Sequence, residues 1–294
     1  MSESSALRRF LILTALRWLP TGMMMPVFVL LPLQRGLSLS ELGLALATQG
    51  VVVMVLELPT GGLADALGRR RVLLLSMVFG IASTSLFLVA HSFALFAAAA
   101  ALAGIFRALD SGPLEAWYVD AAHAANPQAR IDRGMGLQGT VLGVAIATGA
   151  LATGALAAWP PMSTVEPLAV AVACSLALHV VGLVVTAALM LEQPRHAGLR
   201  GVLQSVREAP RTIVEGVALL RTSRVLLALV SVELFWGFGM FTFEGLFPAR
   251  LAELLGGSEQ AAVIAGPATS AAWIASAAGS AWLAPPRCCG SRRG

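Results

Sequence analysis

The chain has 294 residues, of which 57% are hydrophobic and 12% charged, with a mean hydropathy of +0.80. A soluble domain carries about 25% charged residues, so this composition excludes a soluble globular protein and predicts an all-α polytopic membrane protein in a lipid bilayer. The net charge of +4 rests on 20 basic residues, all arginine, and most of these fall in segments expected on one face of a membrane. That pattern sets topology and gives no reason to expect a nucleic-acid partner. Cys174 lies in an apolar run and Cys288 and Cys289 in the tail, without metal-ligand spacing or a disulfide framework. No phosphate-binding glycine loop, nucleophile–base pair or metal cluster points to a cofactor or an enzyme.

Spans of about 20 apolar residues cross a bilayer as helices, and the first is expected over residues 10–33. Pro20, Pro26 and Pro32 interrupt it and predict kinks. Arg17, about two turns in, either snorkels to the inner face or turns a cation toward a central cavity. A second span follows over 41–63 and carries Glu57 in its inner half. A carboxylate at that depth must pair, protonate or face water, so Glu57 is a candidate for proton coupling or for neutralising an arginine. Residues 57–71, E-L-P-T-G-G-L-A-D-A-L-G-R-R-R, then read as a tight connection at the membrane surface. Gly61, Gly62 and Gly68 permit a sharp turn and close helix approach. Asp65 places an anion beside Arg69, Arg70 and Arg71, and these cations fix that edge as cytoplasmic.

Within that stretch, G-G-L-A-D-A-L-G-R-R-R resembles the signature between the second and third helices of major facilitator superfamily transporters, with matches at Gly61, Leu63, Ala64, Asp65, Gly68, Arg69 and Arg70. The resemblance implies two helical bundles that rock about a site near the bilayer midplane. It also implies that the signature's arginine pairs with an acidic residue at the inner end of the fourth span. Asp120 is the candidate, and with Asp65 the pair would lock the two halves when the cavity faces outward.

A third span is expected over 72–91, with His91 in a short outer turn, and a fourth over 94–118. The fourth holds R-A-L-D-S-G-P-L-E-A-W-Y-V-D. Arg107 and Asp110, three residues apart on one helix face, can pair, and Gly112-Pro113 predicts a kink. This span resembles the family's fourth helix, whose buried arginine has been tied to proton transfer, although the spacing is displaced by one residue. Arg107, Asp110 and Glu115 are therefore candidate cavity or coupling residues, the alternative being an arginine that only neutralises its carboxylates. The fifth span, 135–158, is rich in glycine; Gly139 and Gly143 form a G-x-x-x-G pair suited to close helix contact. The G-P dipeptide common in proton-driven drug exporters is absent from it.

Trp159 is placed as an interfacial anchor before a sixth span over 167–191, which contains His179 at mid-depth. An arginine-rich cytoplasmic linker, 192–224, is expected to carry an amphipathic helix on the inner leaflet. A seventh span, 225–247, places Glu233 near its middle as a cavity or coupling candidate and Glu244 near its outer edge, and an eighth covers 261–284. The predicted organisation is a six-helix bundle over 1–191, the linker, and a partial second bundle over 225–294. A full member of the resembled family has twelve spans in two related halves, so eight suggest a product cut short of a twelve-span gene. Outer loops hold Arg35 and Arg250, spans hold Arg17 and Arg107, and every other arginine falls inside. This predicts a multi-pass protein of the inner (plasma) membrane with a cytoplasmic N-terminus. The expected activity is alternating-access transport of a small-molecule substrate, as proton-coupled efflux of amphiphilic or drug-like compounds. An importer of a small metabolite and a non-transporting remnant are the alternatives.

Overall fold

A computed structural model of the chain describes residues 2–159, 166–191, 214, 216 and 218–283, except for the side chains at 58, 59, 61, 62, 65 and 66. Among the described residues, eight helices are long and apolar enough to cross a membrane. The chain enters α1 (Glu3–Gln34), which runs through Pro20, Pro26 and Pro32. Hydroxyls on neighbouring helices donate to carbonyls beside those prolines: Ser175 Oγ to Pro20 O at 3.1 Å and Thr153 Oγ1 to Met23 O at 2.8 Å. Such donors let a proline-bearing helix persist at membrane depth.

A reciprocal capping box between Ser38 and Glu41 starts α2 (Leu39–Leu67). The stretch 57–71, expected as a surface connection, is instead almost wholly helical. Leu63, Ala64 and Leu67 are strong helix formers, so α2 continues to Leu67 and α3 (Arg69–Val89) begins two residues later. Only Gly68 breaks the path, at φ +95°, a backbone conformation nearly confined to glycine. The fourth span is two helices, α4 (Phe93–Asp110) and α5 (Pro113–Ala125), broken at Gly112 (φ +91°) with Pro113 opening the second. The sequence predicted this kink. Next come α6 (Asp132–Ala157), α7 (Pro167–Leu189) and α8 (Arg224–Phe241). A π-helical turn (Thr242–Leu246) joins α8 to α9 (Phe247–Leu255), and α10 (Ser258–Leu283) follows. The amphipathic linker helix, Cys288 and Cys289, and the prolines at 160 and 161 lie outside the described residues.

The helix α6 is held between α1 and α10, and its pairing with α10 is the most extensive in the molecule. Glycine permits both contacts. A Cβ on Gly143 would stand 2.8 Å from the Trp273 carbonyl oxygen and 2.9 Å from Ala277 Cβ. One on Gly266 of α10 would stand 2.6 Å from the Ala150 carbonyl oxygen. On the opposite face, Gly149 meets the Leu19 carbonyl and Gly22 meets that of Ile146. This is the small-residue packing by which membrane helices approach closely without a hydrophobic driving force.

The two ends of the bundle differ. At the end carrying Arg35 and Glu259, Ala261 and Ala262 of α10 join a buried cluster with Val27, Leu30 and Leu31 of α1, and Leu251 and Ala252 of α9 pack against it. Gln34 Nε2 donates to Glu259 Oε1 across the same seam at 3.0 Å. At the end carrying Arg69, none of the residues of α8 is buried. The bundle is therefore well packed around α9 and the start of α10, whereas α8 is unburied along its whole length.

Candidate functional site

A cavity of about 650 Å³ lies at mid-length of α1, α3, α4 and α7. Cavities of 300–1,000 Å³ hold drug-sized ligands. Its wall is mainly apolar: Met24, Met25 and Phe28 of α1, Phe106 of α4, Met240 and Phe241 of α8, and Trp273 of α10. Thr21, Gln49, Ser83 and Thr84 add polar groups, and Arg107 and Glu244 add the charges. His179 also lines it. Its Nδ1 lies 3.0 Å from the Ser175 carbonyl, and its ring meets Phe106 edge-on at 5.9 Å.

Near Trp18, which lines the cavity, sits a buried charge cluster. Arg17 donates from Nε to Asp110 Oδ2 (2.5 Å), from Nη2 to the Asp110 carbonyl (2.9 Å) and from Nη1 to Glu115 Oε1 (3.2 Å). Gln138 of α6 donates to the same Glu115 oxygen at 2.5 Å. Asp110 is 2% exposed and Arg17 9%. The kink at Gly112 makes the cluster possible: it ends α4 at Asp110 and restarts the chain so that Glu115 returns to the same guanidinium. One cation thus faces two carboxylates, and Asp110 Oδ1 and Glu115 Oε2 are buried without a hydrogen-bond partner.

This corrects two expectations. Arg17 neither snorkels nor faces open space; it is the buried partner of Asp110. Arg107, expected to pair with Asp110, is exposed to the cavity and makes no ion pair among the described residues. Arg17 reaches Asp110 bidentately, through side chain and carbonyl, which leaves Arg107 stacked near the Trp18 ring at 5.5 Å. The arginine therefore lines the cavity without a direct ion contact among the described residues, while staying within electrostatic range of Asp110 and Glu244.

Seventh-span expectations are corrected as well. Glu233 is exposed on α8 and is not part of the cavity wall, whereas Glu244 lines it. The reason is length: with α9 included, the seventh hydrophobic segment runs from Arg224 to Leu255, so Glu244, not Glu233, falls near the cavity's depth. Glu57 is exposed near the end of α2 and accepts from Ser111 Oγ at 3.4 Å.

Around the signature, Arg69 bonds Asp120 at 2.5 Å and also donates to the Ala116 carbonyl, and Arg70 donates to the Ala187 carbonyl at 2.7 Å. The Arg69–Asp120 pair joins α3 to α5, the third span to the fourth. Gly68 provides the turn; the side chains of Gly61 and Asp65 lie outside what is described. At the other end, Arg35 bonds Glu166 at 2.6 Å and donates to the carbonyls of Leu88 (2.9 Å) and Ala90 (2.7 Å). Sequence reasoning placed Arg35 in a loop and missed it as a clamp. It also missed Gln138, which no motif marks, and Trp18, whose only signal was its place next to Arg17.

A family model of the Major Facilitator Superfamily matches residues 10–290. A search of curated proteins finds no match. With eight membrane-length helices around a central cavity and a family match over nearly its whole length, the chain belongs to the Major Facilitator Superfamily of secondary transporters.

Proposed function

We propose that the protein couples proton movement to efflux of amphiphilic, drug-like molecules by alternating access, with the structure standing in its inward-open state. The observation that carries this is the cavity. Its wall is apolar and aromatic with few hydrogen-bonding groups, which suits an amphiphile better than a sugar or a polar acid. Helices α9 and α10 pack against α1 near Arg35 and Glu259, and none of the residues of α8 is buried. The arginine-rich end is taken as cytoplasmic, so the packed end is the outer one in this reading.

The charge cluster is the proton site in this reading. Among the described residues, only one guanidinium is hydrogen-bonded to the two carboxylates, with Arg107 within electrostatic range of Asp110, and any excess negative charge at membrane depth is costly. A proton on Asp110 or Glu115 removes the excess and gives one of the unpartnered oxygens an O–H to donate. Because Trp18 lies within 5.5 Å of both guanidinium carbons and Asp110 shares a helix with Arg107, loading the cluster and loading the cavity act on the same helix pair. The Arg69–Asp120 bond acts as a brace between the third and fourth spans.

Inverted membrane vesicles with an imposed pH gradient test the proposal. Accumulation of a lipophilic dye should follow acidification of the lumen, and D110N and E115Q should abolish the dependence on the gradient. Equal dye movement by both variants and the parent would remove the cluster from the coupling step, and no dye movement at all would remove efflux.

A further inference from the structure

Among the described residues lining the cavity, Arg107 and Glu244 are the charged ones, and they come from different parts of the molecule. Arg107 projects from α4. Glu244 is carried by the π-helical turn Thr242–Leu246 that interrupts the seventh span. Neither makes a hydrogen bond or ion pair with a described residue. π-turns inside α-helices cost stability and are common where a helix presents a functional group. Trp18 lines the cavity too, and its ring centroid lies 5.5 Å from the guanidinium carbons of both Arg17 and Arg107. A cation over an aromatic ring is attracted to it without using its N–H groups. The cavity thus offers one cation and one anion, within electrostatic range of each other but, among the described residues, neither hydrogen-bonded nor in direct ion contact, in a mainly apolar box.

The sign of each charge selects the ligand. A monocation is attracted by Glu244 but repelled by Arg107, and a monoanion meets the reverse. A neutral molecule leaves both groups desolvated with no counter-ion in hydrogen-bonding contact. A molecule with both signs satisfies both. We infer that the cavity takes an amphoteric amphiphile: an aromatic or apolar body whose acid group pairs with Arg107 and whose basic group pairs with Glu244. This inference rests on the cavity being the transport site.

Three fluorescent probes that share one body isolate the head group: Nε-dansyl-lysine (zwitterion), dansyl-glycine (anion) and dansylcadaverine (cation). Each is titrated against the purified full chain in lipid nanodiscs. The zwitterion should bind about tenfold more tightly than either singly charged probe, the scale of one charge-assisted hydrogen bond. R107Q should lose about tenfold for zwitterion and anion while holding or gaining affinity for the cation, and E244Q should show the mirror pattern. R107K, which keeps the charge, should retain the zwitterion preference. No binding by any probe, equal affinities for all three, or variants that weaken all three alike would overturn the inference. The transport reading is separable: if vesicles move no probe while the binding order holds, efflux falls and the ligand class stands.

Discussion

Removing Arg17 tests the cluster directly, because its two carboxylates have different fates when the cation is lost. Arg17→Gln deletes three donated hydrogen bonds, at 2.5, 2.9 and 3.2 Å, and leaves Asp110, 2% exposed, beside Glu115 with no hydrogen-bonded counter-ion. Breaking a buried ion pair from one side costs about 3–5 kcal/mol. At 1.4 kcal/mol per decade, that is two to three orders of magnitude or more in the folding equilibrium. Asp110→Asn is milder. Its amide oxygen still accepts from Arg17, and Glu115 remains as counter-ion, so the loss is about 1–3 kcal/mol. Glu115→Gln is milder still, since Glu115 is the more exposed partner, at 27% of its side chain against 4%. The expected order of destabilisation is R17Q, then D110N, then E115Q. Reversible unfolding of the purified protein in mixed micelles with increasing denaturing detergent reads the order. An R17Q variant no less stable than D110N would show that the guanidinium does not hold the two carboxylates, and the assignment of the cluster would be withdrawn.

Other outcomes follow from the packing. Gly143→Ala should cost about 1–3 kcal/mol by overpacking and be partly restored by Ala277→Gly. Gly266→Ala should resist rescue, because its added methyl would meet backbone of α6, the Ala150 carbonyl and Gly154, rather than a side chain; unfolding midpoints of the single and double variants decide. Arg35→Gln should lower stability by about 1–3 kcal/mol, since that guanidinium serves a carboxylate and two carbonyls from a side chain only 6% exposed. Arg250→Gln, which breaks an equally short pair that is 67% and 58% exposed, should change it by less than about 1 kcal/mol. Gly68→Ala should cost about 1–3 kcal/mol through backbone strain at φ +95°, read as a lowered thermal midpoint; an unchanged midpoint would mean the connection can relax.

Much of the architecture was legible because lipid imposes a simple code. Long apolar runs bounded by arginine located all eight spans, and Gly112-Pro113 marked the break in the fourth. The Arg69–Asp120 contact followed from the resemblance, since nothing in local spacing joins residues so far apart. Charge pairing was the part that failed. Arg107 and Asp110 share a helix face, which made them the obvious pair, but Arg17 reaches Asp110 from another helix with two bonds instead of one. Proximity along a helix cannot reveal a competitor arriving through the fold. Glu244 was misplaced for a different reason: hydropathy alone ended the seventh span at residue 247, whereas the segment continues through a π-turn to Leu255. The glycines of α6 signalled close contact, but the identity of the partner, α10, lay in tertiary structure alone.

Pressed by backbone on both faces, α6 has little slack in either direction. Leu19 and Ile146 carbonyls abut glycine on one side, and those of Trp273 and Ala150 on the other. A displacement of α10 would press directly on α6 and through it on α1, with few rotamers between to absorb it. Since α1 carries both Arg17 and Trp18, such a displacement would bear on the buried carboxylates and on the cavity wall together.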